Sequence, residues 1–139
     1  MREMLSAFLT VALAGCALSQ TSRPPDFSGK WQSKSDANTH WILEQKQDQI
    51  HVQEFAGSSL KTDYTCNEAG KECAIKESGH AEKTSFWFNG PKLVELRVRG
   101  DNVVKRRFDL TDDGNTLQVE LLQISPPGES AKIEFSRTQ

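Results

Sequence analysis

From Asp26 to the last residue, apolar and polar side chains alternate with a period of two, and turn residues cut the alternation every few positions. No stretch of helical length carries a 3.6-residue period. Such a chain can satisfy its backbone only by pairing many short strands, so the expected class is all-β and antiparallel.

Trp41, Leu43 and Gln45 fall on one face of a strand, Gln47-Asp48 forms a tight turn, and Ile50 and Val52 continue on the next strand. A two-residue loop sets Gln45 opposite Ile50, Leu43 opposite Val52 and Trp41 opposite Glu54, which joins two apolar rows on one side. Ile42, Glu44 and Lys46 then meet Gln49, His51 and Gln53 on a wetter side. Further strands are expected at 60–66, 73–76, 83–88, 93–98, 103–110 and 117–121, with a last one carrying Ile133 and Phe135. Asn89-Gly90, Gly100-Asp101-Asn102 and Asp112-Asp113-Gly114-Asn115 supply turns, and Pro126-Pro127-Gly128 breaks the chain before the last strand. About eight to ten strands in unbroken succession make sequence neighbours sheet neighbours, and closure removes the exposed edges. The economical outcome is an up-and-down barrel, with a β-sandwich as the alternative. A hydrophobic fraction of 36% suits strands with one solvated face.

With 139 residues the chain is read as one folded domain. A net charge of −2 with both signs interspersed argues against a nucleic-acid partner. Residues 1–19 read as a signal peptide, because the apolar run after Arg2 and Glu3 is too short to span a bilayer. It ends in Leu13-Ala14-Gly15-Cys16, which resembles the lipobox of bacterial lipoproteins, a family in which the cysteine becomes the acylated first residue. The alternative is ordinary cleavage near Ala17-Leu18-Ser19. Residues 20–25 read as a tether and 26–139 as the domain. The expected location is therefore outside the cytoplasm, as a periplasmic or outer-membrane-anchored lipoprotein or, alternatively, a secreted protein. The membrane is met only through the lipid, and the chain is expected to be a monomer.

With Cys16 lipidated or removed, Cys66 and Cys73 remain as an even pair. A turn centred on Ala69-Gly70 would oppose them across a hairpin, so a structural disulfide is expected rather than a redox couple, which would use Cys-x-x-Cys. His51 faces Glu44 across its hairpin, read as a surface cross-strand pair. His40 and His80 join no metal-ligand spacing, so no metal and no cofactor are expected. In Lys105-Arg106-Arg107 the middle residue points away from its neighbours, and the run is read as solvated charge near Asp109. No nucleophile elbow, phosphate loop or dinucleotide fingerprint occurs, so no catalytic residue is assigned and the chain is read as a non-enzyme.

Gly29 and Trp31, in Asp26-Phe27-Ser28-Gly29-Lys30-Trp31, are structural candidates: the glycine permits close backbone passage and the indole plugs one end of a barrel. This opening resembles the Gly-x-Trp start of lipocalins. With Leu43 to Val52, Leu110 to Glu120 and Phe135 to Arg137, the chain is similar to a group of small exported lipocalin-like proteins of environmental bacteria. The resemblance implies a lipocalin-like barrel and brings no catalytic residues. In a barrel closed by Trp31, the opposite mouth would hold Trp41 and Phe88, with Glu54 at its rim. Those three are the candidate ligand-binding residues, for a small apolar or amphipathic molecule. The alternative function is a structural or interaction protein of the cell envelope with a filled core.

Overall fold

The computed structural model describes residues 24–77 and 80–139. The segment read as a signal peptide, with Cys16, and most of the segment read as a tether lie outside the described residues. Ten antiparallel strands make up the fold: β1 (Gly29–Ser33), β2 (Thr39–Lys46), β3 (Gln49–Ala56), β4 (Ser59–Asn67), β5 (Cys73–Glu77), β6 (His80–Asn89), β7 (Lys92–Arg99), β8 (Asn102–Leu110), β9 (Thr116–Ser125) and β10 (Ala131–Thr138). They form one sheet in the order β4-β3-β2-β1-β10-β9-β8-β7-β6-β5, curled into a nearly closed barrel. The β2–β3 register is the one the alternation dictates, with Trp41 opposite Glu54, Leu43 opposite Val52 and Gln45 opposite Ile50.

One hairpin is absent. β4 and β5 follow each other in sequence but sit at the two ends of the strand order. The barrel has its seam there. Cys66 and Cys73 are bonded with their Cα atoms 5.6 Å apart, so the disulfide ties two unpaired edges instead of crossing a hairpin ladder. Below it the connecting segment reaches over to β6, where the Gly70 N–H donates to the Phe86 carbonyl at 2.8 Å.

The loops define two ends. The lower end carries the entry segment 24–28 and the turns after β2, β6 and β8. The upper end carries the links after β1, β3, β7 and β9. Leu43, Ile50, Val52, Leu117, Val119 and Phe135 are buried in one core, with Leu110 and Ile133 packed against it. All eight fall on the inward face that period-two reading selects.

Trp31 is fully buried, and its Nε1–H donates to the Phe27 carbonyl at 3.0 Å. The Arg137 guanidinium lies over the indole, 4.3 Å from the ring centroid. Gly29 is required here: φ is +151°, and a Cβ would fall 2.4 Å from Arg137 Nη1. Phe27, also fully buried, donates its N–H to Gln45 Oε1, and the Ser28 hydroxyl accepts from the Gln45 N–H at 2.8 Å. The entry segment thus closes the lower end.

Candidate functional site

The upper half of the interior is polar. Inward parity on β3, β4, β7 and β8 aims Glu54, Tyr64, Glu95, Arg97 and Arg106 into the barrel beside the aromatic core. Glu95 is fully buried and Arg106 is 4% exposed. Glu95 Oε1 accepts from Arg106 Nε at 2.6 Å and from Arg97 Nε at 3.0 Å. Its Oε2 accepts the Tyr64 hydroxyl. Glu54 Oε1 lies 2.7 Å from Arg106 Nη1 and accepts from Arg97 Nη2 at 3.0 Å. Arg97 and Arg106 also donate to the Tyr64 oxygen, at 2.8 and 3.3 Å. Two guanidiniums, two carboxylates and one phenol close into a single network.

Aromatic rings form its floor. Arg106 lies 4.9 Å from the Trp41 centroid and 5.3 Å from that of Phe108. Arg97 lies 5.2 Å from the Tyr64 ring. Trp41 packs tilted against Phe135 with centroids 4.2 Å apart, and Phe86 sits 6.2 Å from Tyr64. Such faces attract cations that have lost water.

The network sets the protonation states. Burial pushes the Tyr64 hydroxyl well above its ordinary value, and Glu95 adds to the push, so the phenol remains a neutral donor. Burial also works to raise Glu95, but Arg106 and Arg97 more than reverse it, and the carboxyl stays below its usual range. Burial tends to lower both arginines, with Arg106 adding to the effect on Arg97, and the carboxylates overcome this in both. The cluster therefore holds two positive and two negative charges.

Toward the upper rim, Arg99 Nη1 lies 3.8 Å from Glu82 Oε1. Thr84, on the Glu82 face of β6, is opposite Arg97 in the β6–β7 register. It is 1% exposed, and its hydroxyl has no hydrogen-bond partner among the described residues. Fully buried hydroxyls are nearly always satisfied by protein or water, so this orphan marks a place where something polar belongs.

Of the three candidate ligand residues, the structure brings two together. Trp41 and Glu54 are cross-strand partners and both meet Arg106. Phe88 sits at the lower end, 6.4 Å from the Phe27 ring, apart from them. Trp31 and Trp41 do not occupy opposite ends, for they are directly paired between β1 and β2. Glu54 is an interior ion-pair partner, with 14% of its side chain exposed.

Sequence reasoning missed Arg106, Glu95, Arg97 and Tyr64. Arg106 is not solvated charge: its parity is that of Val104 and Phe108, which turns it inward. Outside the barrel, Asp63 Oδ1 accepts from His51 Nε2 at 2.5 Å, although Glu44 is the residue that faces His51 in the β2–β3 register. His40 stacks on Phe55 at 4.6 Å. Among the described residues no group of three or more His, Cys, Asp or Glu is placed to hold a metal ion.

No protein-family model matches the chain, and no curated protein matches it in sequence. Solved structures do share its shape. A secretory abundant heat soluble protein from Ramazzottius varieornatus superposes with a TM-score of 0.68 at 13% identity, over 81% of this chain and 95% of that one. The REP1-NXSQ fatty acid transporter gives 0.66 at 13% identity, over 81% and 96%. The fluorescent protein UnaG gives 0.64 at 17% identity, over 81% and 97%. At these identities the likeness shows the fold alone, and that fold is a lipocalin-like barrel of ten antiparallel strands.

Proposed function

We propose that this chain is an exported, non-catalytic binding protein for a small apolar or amphipathic molecule, taken into the upper half of the barrel. The observation that carries the reading is the interior ionic network. An ion cluster inside a barrel is an expensive way to fill space, since apolar residues of similar volume are often as stable or more so. Buried, perturbed ionisable groups concentrate where a protein binds or reacts. Here they stand on an aromatic floor, the arrangement that suits a molecule with a polar and an apolar end. A fatty acid transporter among the proteins of the same shape supports the class of ligand.

Export and anchoring rest on residues 1–19 and on lipid attached to Cys16, which would hold the barrel at the bacterial envelope through the 20–25 tether. Intact mass of the chain from its own source tests this part: a diacylglyceryl N-terminus at Cys16 is expected, and an unmodified N-terminus at Gln20 ends it.

Binding is tested by titrating the chain with long-chain amphipathic probes, some with neutral and some with carboxylate head groups, while following tryptophan fluorescence. A saturable response at micromolar probe is expected, weakened by Trp41→Phe. The second reading, a cell-envelope interaction protein with a filled barrel, is favoured by the fully buried Phe27, Trp31, Ile50, Leu93, Leu117 and Phe135 that occupy the interior. It takes over should no probe give a saturable response.

A further inference from the structure

The interior network is electrically closed, and this constrains the head group of anything that binds there. Arg97 and Arg106 are matched by Glu54 and Glu95, and Tyr64 is held neutral. Both guanidinium contacts of Glu54 fall on Oε1. Glu54 and Arg97 are the network members with some exposure, at 14% and 17% of their side chains. Beside Arg97 stands the Thr84 hydroxyl, buried and unpartnered. The unused capacity is thus a hydroxyl that both donates and accepts, and the network offers no spare cation.

Resting on the binding function proposed above, we propose that this site takes a neutral hydrogen-bonding head group, an amide or a hydroxyl, and disfavours carboxylates. Glu54 and Glu95 are the residues that set this specificity. A ligand carboxylate would bring a third negative charge into a region where the two positive charges are already matched. Its desolvation would then go uncompensated. It would also meet Glu54 at the reachable side of the network. An amide or a hydroxyl costs far less than a carboxylate to take out of water, and it can recover that cost by exchanging a hydrogen bond with Thr84. The guanidiniums, which would otherwise suit a carboxylate fork, are occupied internally by glutamates in the place a ligand's carboxylate would take.

The test compares dodecanamide, dodecan-1-ol and dodecanoate, matched in chain length and kept below aggregation, on the full-length chain at pH 8 by calorimetry and tryptophan fluorescence. The neutral probes should bind about tenfold or more tightly than dodecanoate. Glu54→Gln, which leaves the network with one unmatched positive charge, should raise dodecanoate affinity about tenfold while changing that for dodecanamide less. Dodecanoate binding as tightly as the amide to the unaltered chain overturns the head-group assignment and leaves the binding function standing. Saturable binding by none of the three overturns both. Should Glu54→Gln melt below the assay temperature, the comparison on the unaltered chain decides alone.

Discussion

Glu95 shows how a side chain can be cut off from solvent and still stay ionised. Burial favours its neutral form, and two guanidiniums overrule burial, so its carboxyl sits below the ordinary 4.5. A carboxylate whose folded value is depressed adds stability that is fully present above its unfolded value and is lost as pH falls through the folded one. Urea midpoints should therefore hold roughly level from pH 7 to about pH 5 and decline below about pH 4.5. Surface carboxylates such as Asp63 and Asp113, also lowered by hydrogen bonds, contribute to the same decline. The comparison with Glu95→Gln isolates the buried member: the variant should start lower at pH 7 and fall less toward pH 3. Parallel curves for the two proteins would show that Glu95 carries no folding-linked charge. The pairing of Glu95 with two buried guanidiniums was not legible in the sequence. Arg106 sits in a basic run beside Asp109, and Glu95 and Arg97 alternate with Val94, Leu96 and Val98, which can equally put the apolar residues inward. Only the fold decides which row is buried, because a one-residue choice of face exchanges every side chain. A parity argument for Arg106, anchored on Val104 and Phe108, was available before the structure.

At the scale of elements, eight of the nine links between successive strands join sheet neighbours, as short connections and alternation predict. The exception is the β4–β5 step. Sequence shows a turn between two cysteines and suggests a hairpin, but the pairing of β4 with β3 and of β5 with β6 leaves both of their free edges at the seam. The disulfide there substitutes for a missing ladder. It closes a short loop, seven residues in separation, so chain entropy alone assigns it about 2–3 kcal/mol. Cys66→Ser combined with Cys73→Ser should lower the unfolding free energy by about that amount. Amide exchange should accelerate mainly in β4 and β5, whose outer edges lose their tie. Uniform acceleration through β8 and β9 instead would show that the seam is not a separate opening unit. The position of Phe88 was equally hidden. Its parity marks it as inward, but parity does not say at which end of a strand a side chain meets its neighbours, and the lower end was already closed by Phe27.

For the whole molecule, closure depends on residues that precede the first strand. The lower end is sealed by Phe27, by its N–H on Gln45 Oε1 and by Ser28 on the Gln45 backbone, all before β1 begins at Gly29. Arg137, from the last strand, reaches across to the Ser28 carbonyl at 2.7 Å and covers Trp31. The first and last parts of the domain are thus joined at one end, and β1 is held between β2 and β10. The folding unit should accordingly begin at Asp26, the boundary expected from sequence, and not at the first strand residue. A chain of residues 26–139 should unfold with the same midpoint as one of residues 20–139. A chain of residues 29–139 loses a fully buried phenylalanine and the groups that satisfy Gln45, and should be less stable by about 3–5 kcal/mol. Chemical denaturation of the three chains, each with its disulfide intact, measures the differences. Equal stability of the two shorter chains would mean that the lower end is sealed without Phe27. A loss already present in the 26–139 chain would move the start of the folding unit upstream of the expected boundary.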